Sequence, residues 1–331
     1  DNNDAETYYD YATLYGIDSS YANGSVIKNN TIQNLSYNYT TAGVDGTAIL
    51  FVYSLSVANA DGVTIQKNTI RNIDAVTTVS DPTDVSYTSM NTYGLFLNKL
   101  PNAVVHHNRV KQFTISGDAG NSNDLYNYGY GVYFNYLSGT FSKNRIADFD
   151  ISSAVVAGGI NQIFYGVTML TQSELTALTG TIIRDITSTT SGEDSSQTDI
   201  GIFISYGANL VLEGNQIRPF TTTANANAGL ANYGIYSVTD ISHLRLLDNI
   251  ILGNATSPAP ANVGVYFTGD STVDADLIHN TIVDWEYPVR VEGGNKFYLR
   301  NNILAAVGAD SYALAIGRDT MNNDTFKSDY N

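Results

Sequence analysis

Seven titratable side chains recur at matching offsets in three successive stretches near the C-terminal end of this 331-residue chain. Counted back six, four and one from Asn249, Asn280 and Asn301, they are His243, Arg245 and Asp248, then Asp274, Asp276 and His279, then, beside Asn295 and Phe297, Arg300. Paired carboxylates could work as acid and base on a glycosidic bond. An arginine beside a carboxylate could ease removal of a sugar α-proton in a lyase. This makes His243, Arg245, Asp274, Asp276, His279 and Arg300 the candidate catalytic residues. The competing reading is structural: Arg245 and Asp276 in one column are what an exposed ladder of ion pairs gives, and surface charge pairs far outnumber catalytic ones.

Two further groups have binding chemistry. The stretch Asp118-Ala-Gly-Asn121-Ser-Asn123-Asp124 concentrates side-chain oxygens, the ligands of a hard cation, but lacks the spacing and terminal glutamate of an EF-hand loop. The expectation is therefore no cofactor and no metal, with Ca²⁺ on Asp118, Asn121, Asn123 and Asp124 as the alternative. Two residues beyond a recurring Tyr-Gly step stand Phe96, Tyr133, Thr168, Phe203, Tyr236 and Tyr266, with Asp18 before and Arg290 after. The five aromatics would form one solvent-facing column on stacked strands about 4.8 Å apart. Such a column could stack on sugar rings or simply stabilise the sheet.

These groups are positioned by a repeat. Asn-x-[Ile/Val] occurs at Asn30, Asn68, Asn108, Asn144, Asn215, Asn249, Asn280 and Asn301, and the long gap after Asn144 is bridged by a degenerate copy near Thr181 to Ile186. Two residues after each Asn stand Ile32, Ile70, Val110, Ile146, Ile217, Ile251, Ile282 and Ile303, all β-branched, so this column reads as core. Three before stand Ile27, Ile65, Val105, Phe141, Leu212, Leu246, Leu277 and Tyr298. A strand thus enters the Asn, the chain bends, and a second strand leaves it. The Tyr-Gly segments (Tyr93-Gly-Leu95, Tyr130-Gly-Val132, Tyr165-Gly-Val167 and others) supply a third strand, with the tyrosines placed inward. Repeats of this kind cannot bury an apolar face alone and must stack as a solenoid.

On this Asn-x-Ile repeat the chain resembles right-handed parallel β-helices of the pectin-lyase-like kind. The likeness covers residues 15 to 331, with 1 to 14 an irregular edge. It implies an all-β solenoid of nine to ten coils, three short strands each, in one domain. It also implies that the bend Asn residues form a side-chain ladder, satisfying backbone groups where the chain turns, helped by the tolerance of Asn for left-handed conformations. Polysaccharide in such proteins lies along a sheet face. The polygalacturonase motifs and the acidic calcium cluster of pectate lyases have no counterpart here. Long insertions (36–46, 74–92, 114–129, 187–199, 221–232 and 255–262) are expected as loops leaving one corner, carrying Tyr37, Tyr39, Tyr87, Tyr126 and Tyr128.

Composition narrows the function class. A net charge of −16 with only 16 Lys and Arg argues against nucleic acid and anionic membranes as partners. No apolar run is long enough for a membrane span, and cysteine is absent. Richness in Asn, Thr, Ser, Gly and Tyr matches bacterial secreted or surface proteins. The reading is a non-catalytic extracellular or cell-surface segment of a longer polypeptide, a spacer or adhesin with a polysaccharide or other surface partner. The rival is a polysaccharide lyase or hydrolase.

Overall fold

The computed structural model describes residues 8–329 except 42–45, 80–84, 119–123, 155–158, 171–173, 192–193, 224–228, 239–240, 255–260, 269–273, 294–295, 309–310 and 317–325. Among the described residues every element is a strand, in sheets of 18 and 10 strands, and the pairings are parallel. This is a parallel β-helix. Each rung runs through three files: a Tyr-Gly file (Tyr8–Ser20, Gly46–Ala58 and onward), a short file entering the bend (Val26–Lys28, Thr64–Gln66 and onward), and a file leaving it (Thr31–Thr41, Thr69–Val79 and onward). The first strand starts at Tyr8, ahead of the expected edge at residue 15.

Three strands per coil holds, but the expected count of nine to ten coils of uniformly short strands does not. Val85–His106 and Asp124–Ser142 each run unbroken through two files, with 22 and 19 residues. The strand leaving the bend after Asn215 is split into Gln216–Ile217 and Phe220–Thr223, and the last strands, Leu314–Ile316 and Phe326–Asp329, occupy two files only. The expected corner loops are also largely strand. Ser36 to Thr41 pairs in register with Asp74 to Val79, and Thr114 to Asp118 with Asp150 to Ala154. These segments and the Tyr-Gly strands that follow them form a paired arm. Its interior mixes apolar residues such as Ile115, Leu125 and Ile151 with polar ones: Asn127 Nδ2 donates to Ser153 Oγ at 3.1 Å and Ser153 Oγ to Gln162 Oε1 at 2.6 Å, all three buried. Side chains that read as solvated loop thus bond to one another inside the arm, although Asn127 Oδ1 and the Thr77 and Thr88 hydroxyls are buried without a partner.

The bend is held by the ladder. The side-chain oxygen of Asn108 accepts from both the backbone N–H and the side-chain amide of Asn68, at 3.0 Å each, while Asn108 Nδ2 donates to the Ile65 carbonyl and to Asn144 Oδ1. The same bonds link Asn30 to Asn68 and run from Asn215 through Asn249 to Asn280. Thr181 fills the degenerate position, buried, with a hydroxyl that has no partner. Two details differ from expectation. The left-handed residue is the one before each ladder position (Asn29, Lys67, His107, Lys143, Asp248, His279), so the ladder Asn itself carries the hydrogen bonds and its neighbour the turn. In the last copy the ladder residue is Asn302 and not Asn301: Asn280 donates to Asn302 Oδ1, and Asn301 takes the left-handed position with φ of 53°. That one-residue slip puts Ile303 outside at 62 % exposure and seats Leu304 opposite Ile282, because strand side chains alternate faces. Tyr298 is likewise outward, with Leu299 opposite Leu277 in the core. Ile70, Val110, Ile146, Ile217, Ile251 and Ile282 are buried in one file.

Glycine is required at one corner. A Cβ on Gly94, Gly131, Gly166, Gly201, Gly234 or Gly264 would lie 2.3–2.9 Å from Val110, Ile146, Ile183, Ile217, Ile251 or Ile282 respectively, and 2.5–2.6 Å from the carbonyl of the next rung. The Tyr-Gly corner therefore presses directly on the core column that follows the ladder, and the helix is thin there.

Candidate functional site

Outside the same corner lies an aromatic seam. At the corner both the Gly and the aliphatic residue after it point inward, since Val132, Val167 and Ile235 are fully buried. Period-2 alternation breaks at that point, so the Tyr before the Gly and the aromatic two residues after it both point out. This corrects the inward placement of Tyr130, Tyr165 and Tyr233; Tyr93 stands in the same column but is buried beneath its neighbours, 7 % exposed. The two outward columns converge: Tyr93 meets Phe96 and Tyr133 edge-on at centroid distances of 5.3 and 5.4 Å, and Tyr130 meets Tyr133 at 5.5 Å.

Along the axis the rings stack. Tyr15, Tyr53, Tyr93, Tyr130 and Tyr165 follow one another at 5.1, 4.9, 4.6 and 5.1 Å. Tyr165 then contacts Phe203 at 5.4 Å, Phe203 contacts Tyr236 at 5.6 Å, and Tyr236 contacts Tyr266 at 5.3 Å. Contacts of this kind are each worth about 0.5–1.5 kcal/mol beyond burial. The column Phe96, Tyr133, Thr168, Phe203, Tyr236, Tyr266 is in the expected register, but its rings are half-buried and Thr168 is buried outright. Tyr15 at one end is 48 % exposed.

The far end of the seam is charged. The Arg290 guanidinium lies 5.4 Å from the Tyr266 ring centroid and 5.5 Å from that of Tyr287, and its Nε donates to Glu292 at 2.8 Å. Tyr266 donates its hydroxyl to Glu292 at 2.5 Å. That bond, with the one from Arg290, holds the Glu292 carboxyl below the usual carboxylate range. Burial, then neighbouring phenols, pushes Tyr53 up to about 12, and burial does the same to Tyr165. Tyr93, Tyr130 and Tyr266 are raised further, chiefly by burial. These phenols stay neutral at ordinary pH: they can stack and donate, but not serve as bases. Sequence reading missed Tyr15, Tyr53 and Glu292 as seam residues; for Tyr15 the signal was the Tyr-Gly step, whereas Tyr53 precedes Ser54 and joins the column only through its register with Tyr15 and Tyr93.

The candidate catalytic residues fall into separate groups. His243 Nε2 lies 3.1 Å and Arg245 Nε 3.8 Å from the same Asp276 oxygen. His279 Nδ1 is 3.5 Å from Asp248, and its Nε2 is 3.0 Å from Asn301 Nδ2. The third rung contributes Lys296 and Tyr298 opposite Asp274 and Asp276, where Asn295 and Phe297 were expected; Phe297 is core. Arg300 pairs in register with Ile278 and Asp329, one residue away from the His279 column in which its offset had placed it. The slip at Asn302 is the reason. Asp274 Oδ1 is buried without a partner. Of the calcium candidates, Asn121 and Asn123 lie outside the described residues; Asp118 ends one strand, and Asp124 begins another and accepts from the Gly159 N–H at 3.1 Å.

No protein family and no curated protein matches the chain. Among solved structures it is similar to two A-modules of Azotobacter vinelandii mannuronan C-5 epimerases. AlgE6 shares 14 % identity over 98 % of this chain and 90 % of that one, with a TM-score of 0.33. AlgE4 shares 13 % over 96 % and 90 %, with a TM-score of 0.34.

Proposed function

We propose that the chain is a non-catalytic β-helix segment of an extracellular or cell-surface protein, a rigid spacer that binds a glycan along the aromatic seam. The observation that carries this reading is the unbroken path of ring contacts from Tyr15 to Tyr266, ending on Arg290 and Glu292. Ring faces and edges suit the apolar faces of sugars, and the terminal ion pair offers charged donors and acceptors for hydroxyls. Within the seam the phenols are neutral, and Arg290, Tyr266 and Glu292 satisfy one another, which supports binding there over acid–base chemistry. The test is glycan-array binding by the wild type and by Tyr236→Ser/Tyr266→Ser, with Tyr236→Phe/Tyr266→Phe as the ring-retaining control. Binding should fall at least about tenfold in the Ser pair, as for lost aromatic anchors, and survive in the Phe pair, with both folds intact. Equal binding by all three, or turnover of a polysaccharide by the wild type, would overturn the reading.

A further inference from the structure

Although the chain carries −16, eight of its 16 Lys and Arg lie together on the face behind the seam. Three neighbouring columns around the ladder bend supply them. Lys67 and Lys143 stand at the left-handed position, with His107 between them. Arg109 and Arg145 are paired in register one residue beyond the ladder. Two residues further, Arg71 and Lys111 pair, and Arg184 and Arg218 continue the column. The Gly corners touch the core column between these residues, so the strip and the seam occupy opposite sides of a thin section.

The strip is grooved. One open depression of about 640 Å³ is lined by Lys67, His107, Arg109, Lys143 and Arg145 together with Asn, Thr, Gly and Ile residues, and no carboxylate. A second, of about 690 Å³, shares Arg145 and Ile182 with it and continues to Arg184 and Arg218. Its one acid, Asp185, is 3.1 Å from Arg184, the only ion pair of the strip among the described residues. The other cations have none. Arg145 Nε is moreover buried with no hydrogen-bond partner, a charged donor in want of an acceptor. The field is felt locally: burial first, then His107, Lys67 and Lys143, holds the His106 imidazole below its usual value.

We propose that this groove binds a linear anionic glycan, carboxylated or sulfated, lying along the stack axis with its acid groups on Arg109, Arg145 and the flanking lysines. Successive rungs advance about 4.8 Å, close to the step of one sugar in an extended chain, so one cation set faces each sugar. Guanidinium groups match carboxylate and sulfate oxygens in bidentate fashion. Thr69 and Gln216 between them suit hydroxyls, whereas single-stranded nucleic acid would call for stacking rings, of which the groove lining has none.

The test is fluorescence anisotropy with labelled oligogalacturonate, a sulfated oligosaccharide, a neutral oligosaccharide of equal length and a single-stranded oligonucleotide. Two variants are compared with the wild type: Lys67→Asn/Lys143→Asn, which keeps the residue type that Asn29 and Asn301 already place at that bend, and Arg109→Gln/Arg145→Gln. At least one anionic glycan should bind, more weakly as salt rises and about tenfold or more weakly in each folded variant, as for lost charge pairs. The seam pair Tyr236→Ser/Tyr266→Ser should leave this binding unchanged, which separates the two sites. Preference for the carboxylated or the sulfated probe identifies the acid group. No glycan binding, equal binding by wild type and variants, loss in the seam pair instead, or tighter binding of the oligonucleotide would each overturn the proposal.

Discussion

The aromatic seam and the basic strip are two outer faces of the same rungs, separated only by a Gly corner packed on an Ile or Val. They are built on opposite plans. In the seam, side chains spend much of their surface on one another, so the face is itself part of the packing. In the strip, side chains repel one another and are held in place by the bend beneath them. A stacked solenoid permits this because it repeats every outward position at the same site on each rung, so a column can be packed or charged without disturbing its neighbour. Changes that reach the shared corner should damage both faces, and changes confined to one column should touch one.

The largest effect is expected at the shared corner. Ile146→Asp places an unpaired charge in a fully buried position, and Gly131→Ala drives a methyl to 2.5 Å from Ile146 and 2.6 Å from the Gly166 carbonyl. Each should cost several kcal/mol, about 3 or more, and abolish both binding activities by unfolding; a thermal melt within a degree or two of wild type would refute the corner geometry. Next comes the ladder. Asn108→Ala removes the acceptor of the Asn68 backbone N–H, one of the two bonds of the Asn68 amide and the amide donor to the Ile65 carbonyl, and should cost about 2–4 kcal/mol. Thr181→Asn should do the reverse, raising stability by about 1 kcal/mol by joining the two halves of the ladder; denaturant midpoints measure both, and a destabilised Thr181→Asn would show the gap to be required.

The arm gives a pH signature. Asp199 is buried, accepts from Ser188 at 2.7 Å, Gln197 at 3.1 Å and Thr222 at 3.0 Å, and its carboxyl is raised from 3.8 to about 6 by burial, against those hydrogen bonds. A raised folded-state value means the stabilising contribution is complete below the unfolded value and is lost as pH rises through about 6. Melting temperature should therefore carry a falling component between about pH 4 and 6 that Asp199→Asn removes; an identical profile in the variant would place the titration elsewhere. The smallest effect is expected at the C-terminal charge pairs. Asp276→Asn breaks half-buried contacts to His243 and Arg245 at the surface and should shift stability by only a few tenths of a kcal/mol, about 0.5. A measurable loss of polysaccharide turnover in that variant would revive the enzymatic reading.

The recurrence of Asn-x-Ile was enough to determine the stacked parallel strands, the ladder bend and the buried Ile column, because these depend on local alternation repeated many times. The register of the aromatic column was legible for the same reason. What the sequence could not settle was set by contacts between rungs. A single slip at Asn302 reassigned Ile303, Tyr298, Phe297 and Arg300, since one residue of shift reverses every side chain of a strand. The Gly corner turned the tyrosines outward, because two consecutive residues face inward where the corner meets the opposite wall. Apparent loops became a paired arm, because Asn127, Gln162 and Asp199 found polar partners across its interior. The basic strip emerged only when residues about 36 to 40 apart in sequence were laid side by side on neighbouring rungs. Net charge sums over the whole chain, and binding depends on where the charges are brought together.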